Sequence, residues 1–149
     1  MKAFLTILLL LQLGVGFAQK SKTDLAKKMS SPDRKAIVEV LKQKLQPDLK
    51  LLPKLVVKEL WVKNGFAYFI GQVKGEHGKA IDFTKTVYKD EVKAGIFDGD
   101  GTNALLKKTG GKWKVLAYAI GPTDVPWGCW WKEFKAPKEI FDYAEKTCN

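Results

Sequence analysis

Asn64-Gly65 lies between two stretches rich in Val, Phe, Tyr and Trp, residues 55–63 and 66–74. An Asn-Gly pair in that setting favours a type I′ turn, because both central positions need positive φ and the turn's twist matches that of the strands it joins. A hairpin follows, and the turn sets its register. Lys63 then faces Phe66, which puts Val62 opposite Ala67, Leu60 opposite Phe69 and Val56 opposite Val73 on one face. The other face carries Trp61 with Tyr68 and Glu59 with Ile70. The first face is aliphatic and suits a helix above it. The second is aromatic and needs either a cover or a ligand.

A helix for the first face is encoded upstream. Ser31-Pro32-Asp33 reads as an N-cap, a proline at the first helical position and an acid in the first turn. Ile37, Val38, Val40, Leu41 and Leu45 follow at helical spacing, Lys35, Glu39, Lys42 and Lys44 take the opposite side, and Pro47 ends the helix. Downstream, residues 103–108 and 112–120 predict a second hairpin turning through Thr109-Gly110-Gly111. In its last strand Trp113, Val115, Ala117 and Ala119 alternate with Lys114, Leu116, Tyr118 and Ile120. Between the hairpins come the polar connection Gly75-Glu76-His77-Gly78, a short extended piece over residues 80–87 and a helical turn over residues 89–94. After Pro137, the residues Ile140, Phe141 and Ala144 share one helical face. No repeat, low-complexity tract or linker interrupts this pattern. It predicts a single α+β domain over residues 31–149: an N-terminal helix packed on a curved antiparallel sheet of four to five strands, with the C-terminal segment and a short helix returning over the sheet.

Residues 1–18 read as a cleaved secretory signal, with Lys2, an apolar run over residues 3–15 and small residues before a cut after Ala18. The apolar run is short for a membrane span, so no span is expected once the signal is removed. Residues 19–30 are polar and lysine-rich and predict a flexible lead-in. The mature protein is expected to be periplasmic or secreted. Cys129 and Cys148 in such a compartment predict a disulfide, closing a loop of about twenty residues and contributing roughly 3 kcal/mol by chain entropy. A reactive thiol at Cys129 is the alternative, and no histidine lies near it to activate one.

The formal net charge is +10, and +9 without Lys2. Arg34 is the sole arginine. Specific phosphate or carboxylate sites favour arginine's bidentate fork, so a lysine surplus reads as solvated surface and no specific nucleic-acid partner is expected. Trp127, Trp130 and Trp131 crowd around Cys129, and that much indole surface must either seal a core or await a partner. The leading expectation is a non-enzymatic binding module for a small ligand or an envelope protein, with a surface bordered by Trp61, Tyr68, Tyr118, Trp127, Trp130 and Trp131. One alternative is a small enzyme with a pocket inside the curved sheet and Asp124 or Asp82 as general base. The other is purely structural: the tryptophan run, stapled by the disulfide, seals the second face with Asp124 beneath it.

Asp98-Gly99-Asp100-Gly101-Thr102-Asn103 begins like a calcium loop, but Asn103 stands at the glycine position and Thr109 at that of the bidentate glutamate. A turn into the next strand is expected instead. His77 sits alone in a charged turn without an orienting partner. With one histidine and paired cysteines no metal site is expected, and the chain carries no cofactor motif.

The chain also resembles a family of uncharacterised exported bacterial proteins. The resemblance rests on Trp61-Val-Lys-Asn-Gly-Phe-Ala-Tyr-Phe69, Ile81-Asp-Phe with Tyr88, Gly95-Ile-Phe-Asp98, Ala104-Leu-Leu, Gly111-Lys-Trp-Lys-Val115, Ile120-Gly-Pro-Thr-Asp-Val-Pro-Trp127 and Ala136-Pro137 with Ile140-Phe141. It implies export and no established activity, so it assigns no site residue. Cys129, Cys148 and the doubled Trp130-Trp131 depart from that family's pattern. The order of helix and then meander is similar to cystatin-like and nuclear-transport-factor-2-like folds.

Overall fold

The computed structural model describes residues 31–148. The signal segment, the lead-in and the capping role of the Ser31 side chain lie outside the described residues. Helix α1 spans Ser31–Leu49. Ile37, Leu41, Leu45 and Leu49 recur every fourth residue and are all buried, forming the stripe that faces the sheet. Pro47 stands inside the last turn and does not end the helix. It removes one helical hydrogen bond, while burial of Leu49 and a bond from the Val87 N–H to the Asp48 carbonyl (3.1 Å) hold that turn in place. Lys50, left-handed at φ 57°, stops the helix.

Four strands follow in meander order: β1 Lys54–Lys63, β2 Phe66–Lys74, β3 Phe97–Thr109 and β4 Lys112–Pro122. The first hairpin has the expected register from Lys63↔Phe66 to Glu59↔Ile70. Beyond that a bulge at Lys58 shifts it, so Val73 faces Leu55, not Val56, and Val56 turns outward. Gly71 makes the bulge possible, since a Cβ there would lie 2.3 Å from the Val56 carbonyl oxygen and 2.5 Å from the Phe69 ring.

The second hairpin turns through Gly110-Gly111 with Thr109 facing Lys112. Both glycines have positive φ, 57° and 77°. Its strands depart from strict alternation in two places. Leu105 faces Ala117 while Leu106 faces Val115, so Leu116 bulges; Tyr118 and Ile120 then join Trp113 and Val115 on the helix side. Residues 98–101 are not a turn before the strand: they lie within β3 as a wide bulge opposite Gly121, between the pairs Phe97↔Pro122 and Thr102↔Ile120. A Cβ on Gly121 would come within 2.5 Å of the Gly99 carbonyl oxygen, so only glycine fits beneath that bulge.

The connection over residues 80–87 is not extended. It holds a 3₁₀ turn, Phe83–Lys85, capped by Asp82, before helix α2 at Lys89–Ala94. At the C-terminus the helical residues fall at Trp130–Glu133, α3, preceded by the 3₁₀ turn Pro126–Cys129. Past Pro137 the described residues form one 3₁₀ turn, Lys138–Ile140, and no longer helix. The fold is α+β, an N-terminal helix on an open antiparallel sheet followed by a short C-terminal helix. No described helix is long and apolar enough to cross a membrane.

Candidate functional site

The second face of the sheet is closed by the chain itself. Trp61, Phe66 and Tyr68 from the first hairpin and Leu105 from β3 pack against Trp130, Ala136, Ile140 and Phe141 of the C-terminal segment. Tyr68 is fully buried and Trp61 and Trp130 are nearly so, at 0%, 6% and 7% exposure, so these rings form a core and not a free surface. Trp127 and Trp131 pack at its margin. The Tyr68 and Phe141 rings meet at 4.6 Å between centroids. The Cys129–Cys148 disulfide and a 2.8 Å bond from the Glu145 N–H to the Gly128 carbonyl tie the end of the segment back to its start, and Tyr68–Asp142 and Lys63–Glu139 contacts fasten it to the sheet as a lid.

A small polar network lies inside this core. The Tyr68 hydroxyl donates to Asp142 Oδ1 at 3.0 Å and accepts from Asn103 Nδ2 at 2.6 Å. Burial, then the Asp142 carboxylate, pushes the phenol above its ordinary range, so it stays protonated and acts as a structural donor. The Trp61 indole N–H donates to Glu59 Oε2 at 2.9 Å. The indole N–H groups of Trp127 and Trp131 are buried without an acceptor among the described residues.

Tyr118 lies on the opposite face. Its hydroxyl donates to Asp48 Oδ2 at 2.5 Å, and that of Tyr88 reaches the same oxygen at 3.4 Å. Burial, followed by the hydrogen bond to Asp48, pushes the Tyr118 phenol up to about 12. Burial, then the charge of Asp48, raises the Tyr88 phenol as well, and its ring packs 5.3 Å from Phe97. The Leu116 bulge therefore separates Tyr118 from the other expected surface aromatics.

The proposed bases are also placed apart from any core. Asp124 is exposed on the turn after β4 and not beneath the lid. Asp82 is exposed and accepts from the Thr84 hydroxyl (2.6 Å) and backbone N–H (3.1 Å). The Thr84 and Lys85 bonds hold its carboxyl below the usual range, the opposite of what a general base at neutral pH requires. Asp100 takes up Gln72 at 3.0 Å and pairs with Lys74. Among the described residues no group of three or more His, Cys, Asp or Glu side chains could hold a metal ion.

An open cleft of about 320 Å³ lies between α1, the start of β1 and the 3₁₀ turn Glu76–Gly78. Val38, Leu52, Pro53 and Leu55 supply apolar surface, and Lys42, Lys54, Glu76 and His77 supply polar groups. His77 is held with φ 54° in the left-handed region. A depression of about 440 Å³ at the disulfide is lined by Cys129, Lys132, Glu133 and Cys148 and lacks a comparable aliphatic floor. Sequence reasoning missed the cleft and Asp48. The cleft joins three segments distant in the chain, and Asp48 follows Pro47, where the helix was expected to end. No protein-family model, curated protein or solved structure matches the chain.

Proposed function

We propose that the protein is an exported binding module whose tryptophan lid is structural and whose ligand enters the cleft beside His77. The ligand is a small molecule with an apolar body and a polar end. The observation that carries this reading is the cleft's lining, an aliphatic floor from Val38, Leu52, Pro53 and Leu55 with Lys42, Lys54, Glu76 and His77 around it. Such a combination, an apolar surface with a few convergent polar groups, is the common make-up of small-molecule sites. The aromatic residues first expected to form the binding surface are occupied in sealing the sheet. Export is supported by the signal-like residues 1–18 and by a disulfide that an oxidising compartment would preserve.

Native mass spectrometry of the protein taken from its own periplasm tests the reading. A retained small molecule is expected, and Leu52→Glu, which puts a charge on a partly exposed floor position, should release it. An empty protein, or a ligand held equally well by Leu52→Glu, would sink the proposal.

A further inference from the structure

The sheet register gathers part of the lysine surplus at one end of the molecule. Lys63 on β1 faces Phe66 on β2, Phe66 faces Lys107 on β3, and Lys107 faces Lys114 on β4. Directly opposed residues share a face, so these side chains form one row across the sheet on the side away from α1, where Phe66 packs. Lys112 stands on the same face, two positions from Lys114. With strands about 4.8 Å apart, Lys107 and Lys114 are immediate neighbours and Lys63 lies roughly 10 Å from Lys107.

Few acids answer these charges. Lys63 pairs with Glu139 at 2.9 Å, and Lys108, on the helix side, pairs with Asp33 at 2.8 Å. Lys107, Lys112 and Lys114 are exposed and form no ion pair among the described residues. The Lys107 ammonium rests 4.9 Å from the centre of the Phe66 ring. Like charges directly opposed on neighbouring strands work against the pairing that holds them. On β3 itself the acids, Asp98 and Asp100, lie at the other end of the strand.

We infer that this hairpin end, with Lys107, Lys112 and Lys114 at its centre and Lys63 at its margin, docks on an anionic phospholipid bilayer. Lysine ammonium groups on flexible stems answer a diffuse field of phosphate headgroups and need no fixed phosphate position. The turn tips, Asn64-Gly65 and Gly110-Gly111, carry no apolar side chain, so the contact is superficial and reversible. A nucleic-acid strand suits the patch less, because the patch has no arginine and its aromatic, Phe66, is only 7% exposed and closed to base stacking. The site is separate from the cleft, and its test does not depend on a cleft ligand.

The experiment is co-sedimentation of the disulfide-intact protein with vesicles of phosphatidylcholine, with or without phosphatidylglycerol, at low and physiological salt. Binding is expected only to the anionic vesicles and should weaken with salt. The triple variant Lys107→Gln, Lys112→Gln, Lys114→Gln should lose about a hundredfold in affinity. A control triple of equal charge at the other end, Lys79→Gln, Lys89→Gln, Lys93→Gln, should stay within about threefold of wild type. All six positions are exposed, and circular dichroism checks that both variants fold. Equal losses in the two triples would reduce the effect to net charge and overturn the docking surface. So would failure of the wild type to bind anionic vesicles at low salt, or its preferential capture by a DNA duplex at the same salt.

Discussion

The face of the sheet under α1 and the face under the tryptophan lid are both buried, but their polar groups fare differently. On the helix side the cover is one 19-residue helix with a regular buried stripe. The Trp113 indole there donates to Asp33 at 3.0 Å, and two tyrosine hydroxyls end on Asp48. The lid is built from short pieces, its α-helix only 4 residues long, and the indole N–H groups of Trp127 and Trp131 have no acceptor among the described residues. A buried donor left without an acceptor costs about 1–3 kcal/mol. Short turns cannot stabilise themselves through their own backbone as a long helix does. A cover of this second kind depends on a cross-link, and the Cys129–Cys148 bridge supplies it.

Mutations at the two faces should separate these modes of attachment. The largest effect is expected at Phe69, fully buried under α1: Phe69→Ala should cost about 3–5 kcal/mol in urea unfolding. A loss below about 1 kcal/mol would move the main core elsewhere. Replacing Cys129 and Cys148 together by serine should cost about 3 kcal/mol, and hydrogen exchange should then show lid amides losing protection while α1 keeps its own. If both regions open together, the faces form a single cooperative unit. Tyr68→Phe should cost about 1–2 kcal/mol, since it deprives Asn103 of its acceptor and Asp142 of a donor.

A pH titration probes the helix side. The Tyr118 phenol is raised from 10.0 to about 12, so folding favours its neutral form. Its contribution is complete below pH 10.0 and is lost as pH rises towards about 12, where the unfolded chain ionises first. Tyr118→Phe lacks this loss, so the stability gap between wild type and variant should narrow across that window. A gap constant with pH would mean that the phenol is not held by Asp48. The smallest effect is expected at exposed Asp124, where Asp124→Asn should change stability by no more than about 0.5 kcal/mol. A loss above about 2 kcal/mol would return Asp124 to the lid core.

What the amino-acid sequence determined by itself is local. Positive φ at Asn64-Gly65 sets the first hairpin, helical spacing from Ile37 to Leu45 sets α1, and two cysteines near one end leave a single intramolecular pairing. Each of these depends on neighbours in the chain or on simple counting. The tertiary structure decided the rest, because it depends on space between strands. Gly71 and Gly121 leave room for bulges that no periodicity announces, and the Leu116 bulge carries Tyr118 from the aromatic face to Asp48. The tryptophan run was equally compatible with a lid and a binding surface, and packing against Trp61 and Tyr68 made it a lid. The full lysine row likewise exists only once β1, β2 and β3 pair, since Lys63 stands far in the chain from the hairpin that carries Lys107, Lys112 and Lys114 and joins their row through cross-strand hydrogen bonds and not through sequence.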